Sequence, residues 1–176
     1  CLSRGLGDVY KRQCVFSAVP LGMVYKIPEK GFDNDIRMRE NMWNKIVDDK
    51  TLINLLEEVE FFHDACLTEL RYISGAYVDE DLAMYPINDK RKVNVFIQRQ
   101  EEGKNTIELE FSGIEYLKLF PYDEKYTCEI FGVTLILEDG KIFWCDCDGI
   151  SKDEFPDYKG ISICASELKW RWVENG

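Results

Sequence analysis

A stripe of apolar residues with helical spacing begins just after residue 50. Its members recur every three or four positions, as on one face of a helix: Leu52, Leu55, Leu56, Val59 and Phe62. Asp48 and Asp49 precede the stripe, and an aspartate at this position is typical of a helix N-cap. The pattern therefore predicts an amphipathic helix that begins after these aspartates and runs towards Phe62.

A second helical pattern lies upstream, between Asp35 and Val47. Its apolar members are Ile36, Met42, Trp43, Ile46 and Val47. This spacing suggests a second helix before the first.

From His63 onward the pattern changes to that of β-strands. Cys66–Val78 is rich in β-branched and aromatic residues, and Val93–Ile97 alternates between apolar and polar positions. A third segment alternates in the same way, with Ile107, Leu109 and Phe111 on one face and Glu108 and Glu110 on the other. We expect these segments to form strands, and the glutamates predict an acidic outer face on the third.

Short polar connections and further strands continue to the end of the chain. Residues 100–105 and 138–140 have the composition of hairpin connections, the second through its Asp-Gly step. Further strands are expected at residues 126–137, 141–147, 161–165 and 168–173. One or two N-terminal helices followed by these strands favour an α+β fold. Its mainly antiparallel β-sheet is expected to be curled or doubled into a sandwich.

Residues 1–13 differ from the rest of the chain in their origin. Ser3–Gln13 resembles a translated sequencing adaptor, because its last six residues back-translate as GAT GTG TAT AAG AGA CAG. That is the mosaic end recognised by the transposase used in library preparation. Such a segment is set aside before the fold is considered. The resemblance implies that residues 1–13 are an artefact of an assembled, metagenomic read set and not a basic arm.

The remaining chain divides at about residue 48. We expect residues 14–47 to be an N-terminal extension whose origin is open, and residues 48–176 to form a single α+β domain. Candidate starts of the native protein are Met23, Met38 and Met42.

Charge and composition exclude several classes of protein. The full chain has 22 Lys and Arg against 33 Asp and Glu, a formal net charge of −11, which becomes −13 without residues 1–13. Nucleic-acid binding needs clustered basic residues, so it is not expected. No run approaches the roughly 18 apolar residues of a membrane helix, so no membrane partner is expected. The single histidine excludes any site that needs two histidines in one chain.

The cysteines show no regular disulfide framework, which favours a reducing compartment and a cytoplasmic location. Cys145 and Cys147 are two positions apart, so on a strand they share a face. Cys164 and His63 could complete a metal site beside them. The simpler alternative is packing, because free cysteine is often fully buried. We expect no cofactor.

His63 and Asp64 form a histidine–carboxylate step that could provide a general base. Neighbouring residues on an extended chain point to opposite faces, so these two side chains need not touch. Their expected role is to satisfy the end of the helix. No segment matches a nucleophile motif such as G-x-S-x-G, and no catalytic residues are expected.

Acidic residues and tyrosines cluster in the connections between the strands. Tyrosine beside carboxylates is common at protein interfaces, although acidic loops also serve solubility and tyrosine is ordinary core material. The interface candidates are Asp79, Glu80, Asp81, Tyr85, Asp123 and Glu124. They predict an acidic surface that docks on a basic protein.

Phe61–Tyr72 resembles the opening of a loose group of small bacterial, Firmicutes-type proteins, in which a Phe-His-Asp step leads into a first strand. Ile107–Ile114 and Leu168–Trp172 are similar to later strands of that group, so the resemblance spans roughly residues 49–173. The group includes immunity proteins of polymorphic toxin systems. The resemblance implies a cytoplasmic, non-enzymatic, β-rich protein, and Tyr77–Arg91 has no counterpart in it.

These observations give one main hypothesis and two alternatives. The main hypothesis is a cytosolic bacterial protein-binding module, similar to immunity proteins, whose acidic surface covers the active site of a basic, toxin-like protein. The first alternative is a metal-binding or hydrolytic protein that uses Cys145, Cys147 and Cys164 with His63. The second alternative is a structural subunit that forms a homodimer through an edge strand, the oligomeric state being open.

Overall fold

One α-helix and ten strands make up the part of the chain that the computed structural model describes, residues 42–120, 125 and 127–173. In chain order they are β1 Asn44–Ile46, α1 Asp49–Glu58, β2 Ala65–Ile73, β3 Tyr77–Val78, β4 Met84–Tyr85, β5 Lys92–Arg99, β6 Thr106–Lys118, β7 Glu129–Ile130, β8 Thr134–Glu138, β9 Lys141–Cys145 and β10 Ser162–Val173. Single 3₁₀ turns lie at Glu60–Phe62 and Lys152–Glu154. An N-terminal helix followed by a mainly antiparallel sheet confirms the predicted α+β class. Within the described residues, no helix has the length and apolar character needed to span a membrane.

The start of α1 follows from its two capping side chains. Asp48 Oδ1 accepts a hydrogen bond from the backbone N–H of Thr51 at 2.8 Å, and Thr51 Oγ1 accepts one from the N–H of Asp48 at 3.1 Å. This capping box satisfies backbone donors that a helix start leaves free. The Asp48 carboxylate accepts hydrogen bonds from the backbone N–H and the hydroxyl of Thr51, and because these favour its ionised form they lower the pKa of Asp48. The predicted N-cap is confirmed.

The main sheet is antiparallel throughout, in the strand order β7-β2-β5-β6-β10-β9-β8. Its two outermost strands, β7 and β8, are separated in the chain only by residues 131–133. Four Cα–Cα steps span at most about 14 Å, so the two edges of the sheet must come close together. The sheet is therefore curled, as the sequence predicted.

The hydrophobic core lies between α1 and one face of this curled sheet. The apolar positions of β5 and β6 predicted to point inward are all fully buried: Val93, Val95, Ile97, Ile107, Leu109 and Phe111. Leu52 and Leu55 of α1 join the same cluster, as do Val59 and Phe62 beyond the end of the helix. The helical stripe read from the sequence is thus the buried face, although the helix itself stops at Glu58.

The predicted upstream helix is wrong where the structure describes it. Asn44–Ile46 is a strand that pairs with β10, with Asn44 opposite Trp170 and Ile46 opposite Leu168. Pairing with a long neighbouring strand outweighs a helical apolar spacing over so short a stretch. The sheet therefore begins before residue 48, and residues 35–41 of the predicted helix lie outside the described residues.

The prediction that the glutamates of β6 form an acidic outer face is wrong. Glu108 is buried, and it accepts hydrogen bonds from Arg171 Nε and Asn94 Nδ2, each at 2.7 Å. Glu110 pairs with Lys92 at 2.8 Å and Lys169 at 3.2 Å. Partial burial acts to raise the pKa of Glu110, but hydrogen bonds from the two lysines bring it below its usual value. These glutamates are neutralised across the sheet, because β5 and β10 place cations beside β6.

Trp43 caps this charged layer. Its ring lies 4.2 Å from Lys169 Nζ and 4.5 Å from the Arg171 guanidinium carbon. Cations over an aromatic face are attracted by its electron density, so the ring holds both side chains beside the glutamates.

Candidate functional site

Strands β3 and β4 pair with each other in a small two-stranded sheet, and among the described strands neither pairs with the main sheet. We call residues 77–85 the tyrosine hairpin. Tyr77 lies opposite Tyr85, and their rings stack with centroids 4.7 Å apart and planes within 8° of parallel. An isolated two-stranded hairpin is marginally stable in water, and a cross-strand aromatic pair is the kind of contact that stabilises it.

The tip of the tyrosine hairpin is organised by Asp79. Its Oδ1 accepts hydrogen bonds from the backbone N–H groups of Asp81 and Ala83, at 3.0 and 2.9 Å. Leu82 adopts a left-handed backbone conformation, with φ of 64°, which is uncommon for a residue with a side chain. The carboxylate of Asp79 therefore shapes the tip, and the neighbouring acidic residues Glu80 and Asp81 are exposed.

The tyrosine hairpin displays a group of apolar side chains that no core covers. Leu82 is 83% exposed and Met84 is 76% exposed. Three further large side chains of the tyrosine hairpin are exposed, Tyr77, Val78 and Tyr85, and so is Ile87 just after it. Single exposed apolar residues are ordinary, but several on one small element are a feature often found at interaction sites.

The interface candidates read from the sequence converge in part on this element. Glu80, Asp81 and Tyr85 lie exposed on the tyrosine hairpin, with Asp79 beneath them holding the turn. The remaining candidates, Asp123 and Glu124, lie outside the described residues.

The exposed apolar residues of the tyrosine hairpin were missed by sequence reasoning, which considered only its acids and tyrosines. A signal was present in the order of the residues. Tyr77-Val78 and Met84-Tyr85 are apolar pairs on either side of a short connection that begins with the acidic residues Asp79–Asp81. That arrangement favours a hairpin of two very short strands, which have too few residues to pack against the core.

The cysteines proposed as metal ligands lie mainly in packing positions. Cys145 of β9 and Cys164 of β10 are buried in a small second core with Phe143 and Phe155. Cys147 follows the end of β9 and is half-buried, and its carbonyl oxygen accepts a hydrogen bond from the Cys145 thiol at 3.3 Å.

The aspartate between Cys145 and Cys147 has a structural role. Asp146 Oδ1 accepts hydrogen bonds from the Tyr158 hydroxyl at 2.7 Å and from the Ile161 backbone N–H at 3.0 Å. Desolvation, together with this bond to a carboxylate, raises the pKa of Tyr158. Asp146 thus ties the end of β9 to the loop that leads into β10.

The environment of the thiols does not favour metal binding. Burial is the main cause that raises the pKa values of Cys145, Cys147 and Cys164, so each thiol keeps its proton at neutral pH. No group of three or more His, Cys, Asp or Glu side chains among the described residues is placed to hold a metal ion. The side chain of His63 contacts that of Asp64. The metal-binding alternative therefore gains no support from this arrangement.

The raised pKa values predict a graded reactivity of the described cysteines. At pH 8, Cys66 and Cys128, which are exposed, should react with iodoacetamide well before Cys145 and Cys164, which are buried. A raised pKa means less thiolate at any given pH, and thiolate is the reactive form. Peptide mapping by mass spectrometry after timed labelling measures the order. Rapid labelling of Cys145 or Cys164 in the folded protein would contradict it, with urea-unfolded protein as the control.

The side chains of His63 and Asp64 meet, although the geometry of an extended chain does not require it. His63 Nδ1 lies 3.0 Å from Asp64 Oδ2. Asp64 has a left-handed backbone, with φ of 54°, so the alternation of a strand does not apply at this step. Both side chains are more than half exposed. The pair is therefore an exposed surface contact, and contacts of this kind contribute little to stability.

The turn before this pair is the most unusual backbone in the described residues. Glu60, Phe61 and Phe62 have φ values of 48°, 57° and 58°, three successive left-handed residues. Each costs roughly 1–2 kcal/mol for a residue with a side chain. The turn buries Phe62 completely and brings Glu60 to 3.5 Å from Arg99, a largely buried guanidinium. Burial of a phenylalanine side chain contributes about 1.5–3 kcal/mol and so offsets part of this cost.

The described fold and its exposed element define a class: an α+β domain with a curled antiparallel sheet that carries a small apolar hairpin with an acidic tip. Comparison with known proteins adds no relative to this description, because no family model, curated protein or solved structure matches the chain.

Proposed function

We propose that this protein is a binding module that docks on a protein partner through the tyrosine hairpin and has no catalytic role of its own. The single observation that carries the proposal is the set of large apolar side chains exposed around the stacked pair Tyr77 and Tyr85. A small domain gains nothing for its own stability from side chains held in water. Their burial against a partner would supply the free energy of binding.

The composition of the tyrosine hairpin fits an interface hot spot. Tyrosine is enriched among residues that dominate binding energy, and rigid aromatic side chains lose little entropy on binding. Tyr77 and Tyr85 are already fixed against each other by stacking, so they are partly ordered before the partner arrives. Leu82 and Met84 extend the apolar surface at the tip and on the second strand.

Charge indicates the kind of partner. Glu80 and Asp81 lie at the tip, and neither forms an ion pair within the described residues. The whole chain carries a formal net charge of −11. Complementary potentials steer association and discriminate against other partners, so the partner expected is a protein with a basic surface.

The location and biological role of the module form the finer part of the proposal. We place the protein in the bacterial cytoplasm, because the five described cysteines are all free. A basic, toxin-like protein whose active site the tyrosine hairpin covers would give the module the role of an immunity protein. The resemblance of Phe61–Tyr72 to that group supports this role.

Capture at two salt concentrations tests the proposal. The immobilised full chain is exposed to a lysate of the bacterium that carries the gene, and retained proteins are identified by mass spectrometry. We expect a protein with a basic surface to be retained at low salt and released at high salt, because exposed charges are screened. No retained protein at low salt, or retention indifferent to salt, would contradict the electrostatic docking mode.

A further inference from the structure

We propose that strand β2 pairs with the same strand of a second copy of the chain, which joins two sheets across a two-fold axis. This inference is independent of the tyrosine hairpin. It concerns a different edge of the molecule, so each proposal can fail while the other stands.

The observation that starts the argument is the unequal pairing of β2. On one side β5 pairs with it along its length, from Ala65 to Ile73. On the other side β7 pairs only with Ala65 and Cys66, followed by one hydrogen bond from the Leu67 N–H to the Cys128 carbonyl at 2.9 Å. Among the described strands, none pairs with Thr68–Ile73 on that side. Such an edge presents backbone donors and acceptors to another strand.

The side chains on this edge are complementary to themselves. Glu69 and Arg71 are two positions apart and form an exposed ion pair at 2.6 Å on the outer face. When two copies of β2 run antiparallel about a two-fold axis through Leu70, Glu69 of one copy lies opposite Arg71 of the other. Opposite charges directly across an antiparallel pair are stabilising. Leu70 then lies opposite its own copy, so the centre of the interface is apolar.

Edge strands commonly carry charges and bulges that prevent pairing, and β2 has a bulge between Leu67 and Glu69. The bulge lies outside the segment needed for the proposed contact, which runs from Glu69 to Arg71. Charges on an edge strand prevent pairing when charges of the same sign come to lie opposite each other. In β2 the charges on the two sides of Leu70 have opposite signs, so in the antiparallel pair each charge lies opposite one of the other sign.

The proposed pairing leaves the tyrosine hairpins free. Each hairpin follows the carboxyl end of its β2, and antiparallel strands place these ends in opposite directions. A dimer of this kind would therefore present two hairpins at opposite ends of the joined strands. It could engage two partner molecules, or one partner with two sites more tightly.

A charge-reversal cycle tests the pairing and its register. We expect the native full chain to show a concentration-dependent dimer in sedimentation velocity, under reducing conditions. Glu69→Arg places Arg opposite Arg, and Arg71→Glu places Glu opposite Glu, so each variant alone should dimerise at least tenfold more weakly. An equal mixture of the two variants should restore dimer, because Arg then meets Glu at every position.

The mixture separates the proposed contact from an effect within the chain. Each variant has lost its own Glu69–Arg71 ion pair, so only a contact between chains can restore the dimer. Glu138→Arg, a charge reversal at another exposed position, is the matched control and should dimerise like the native chain. Circular dichroism verifies that each variant is folded. A native chain that stays monomeric to millimolar concentration, reversals without effect, or a mixture that stays monomeric would each overturn the proposal.

Discussion

Replacement of Trp144 by alanine is expected to lower the free energy of unfolding by about 3–5 kcal/mol. Trp144 is fully buried on β9, and its ring lies 6.1 Å from that of Phe111 on β6. Removing it leaves a cavity where β9 and β6 face the common core. Because a domain of this size is stable by only about 5–15 kcal/mol, the loss should be plain in urea unfolding followed by circular dichroism.

A phenylalanine variant is the matched control for Trp144. The indole N–H of Trp144 is buried and has no hydrogen-bond acceptor among the described residues. Trp144→Phe removes this unsatisfied donor together with part of the ring, so its cost should be well below that of alanine, about 1–1.5 kcal/mol. An alanine variant that loses less than about 1 kcal/mol would contradict the placement of this ring in the core.

Replacement of Arg171 by methionine is expected to cost about 3 kcal/mol. Both Arg171 Nε and Arg171 Nη2 lie 2.7 Å from Glu108 Oε2, and the Glu108 side chain is only 7% exposed. Removing the arginine leaves a buried carboxylate with Asn94 as its remaining hydrogen-bond donor. Breaking a buried pair from one side is costly because the remaining charge is poorly solvated. Urea unfolding at neutral pH measures the loss.

Two comparisons make the Arg171 result specific. Arg71→Met breaks the Glu69–Arg71 pair, which is about half exposed, and should cost no more than about 1 kcal/mol. The double variant Glu108→Met with Arg171→Met should recover most of the loss, since no charge is left buried. Equal losses from Arg171→Met and Arg71→Met would show that Glu108 is not held as the structure places it.

The elements with a regular apolar period were predictable, because burial on one face imposes that period on the sequence. Alternation in β5 and β6 gave the inward positions correctly, including Val95 and Leu109. The stripe from Leu52 to Phe62 gave the buried face of α1 but not its end. The left-handed turn at Glu60–Phe62 keeps the apolar side chains buried after the helix has ended. The spacing of apolar residues does not show where the backbone changes from right-handed to left-handed φ values.

Features that depend on neighbouring strands were not predictable from one segment at a time. The glutamates of β6 suggested an acidic face, because the cations that neutralise them come from β5 and β10, far away in the chain. Asn44–Ile46 is a strand because β10 is long enough to pair with it, which its own sequence does not reveal.

The candidate site was predicted in part. The acidic triplet and Tyr85 drew attention to the same segment as the structure, because charge and tyrosine are visible without a fold. The exposure of Leu82 and Met84 was not visible, since apolar residues in a sequence are expected to be buried until the topology shows that their hairpin has no core to join.

The affinity of the captured partner for two matched variants tests the central claim most directly. Leu82→Ser with Met84→Ser removes apolar surface from the tyrosine hairpin, whereas Ile53→Ser removes an exposed apolar side chain from α1. Isothermal titration calorimetry compares both with the native chain. We expect the hairpin variant to bind at least about 30-fold more weakly, as for the loss of a hot spot, and Ile53→Ser to bind like the native chain. A hairpin variant that binds like the native chain, or equal losses in both variants, would contradict the claim that the tyrosine hairpin is the docking element.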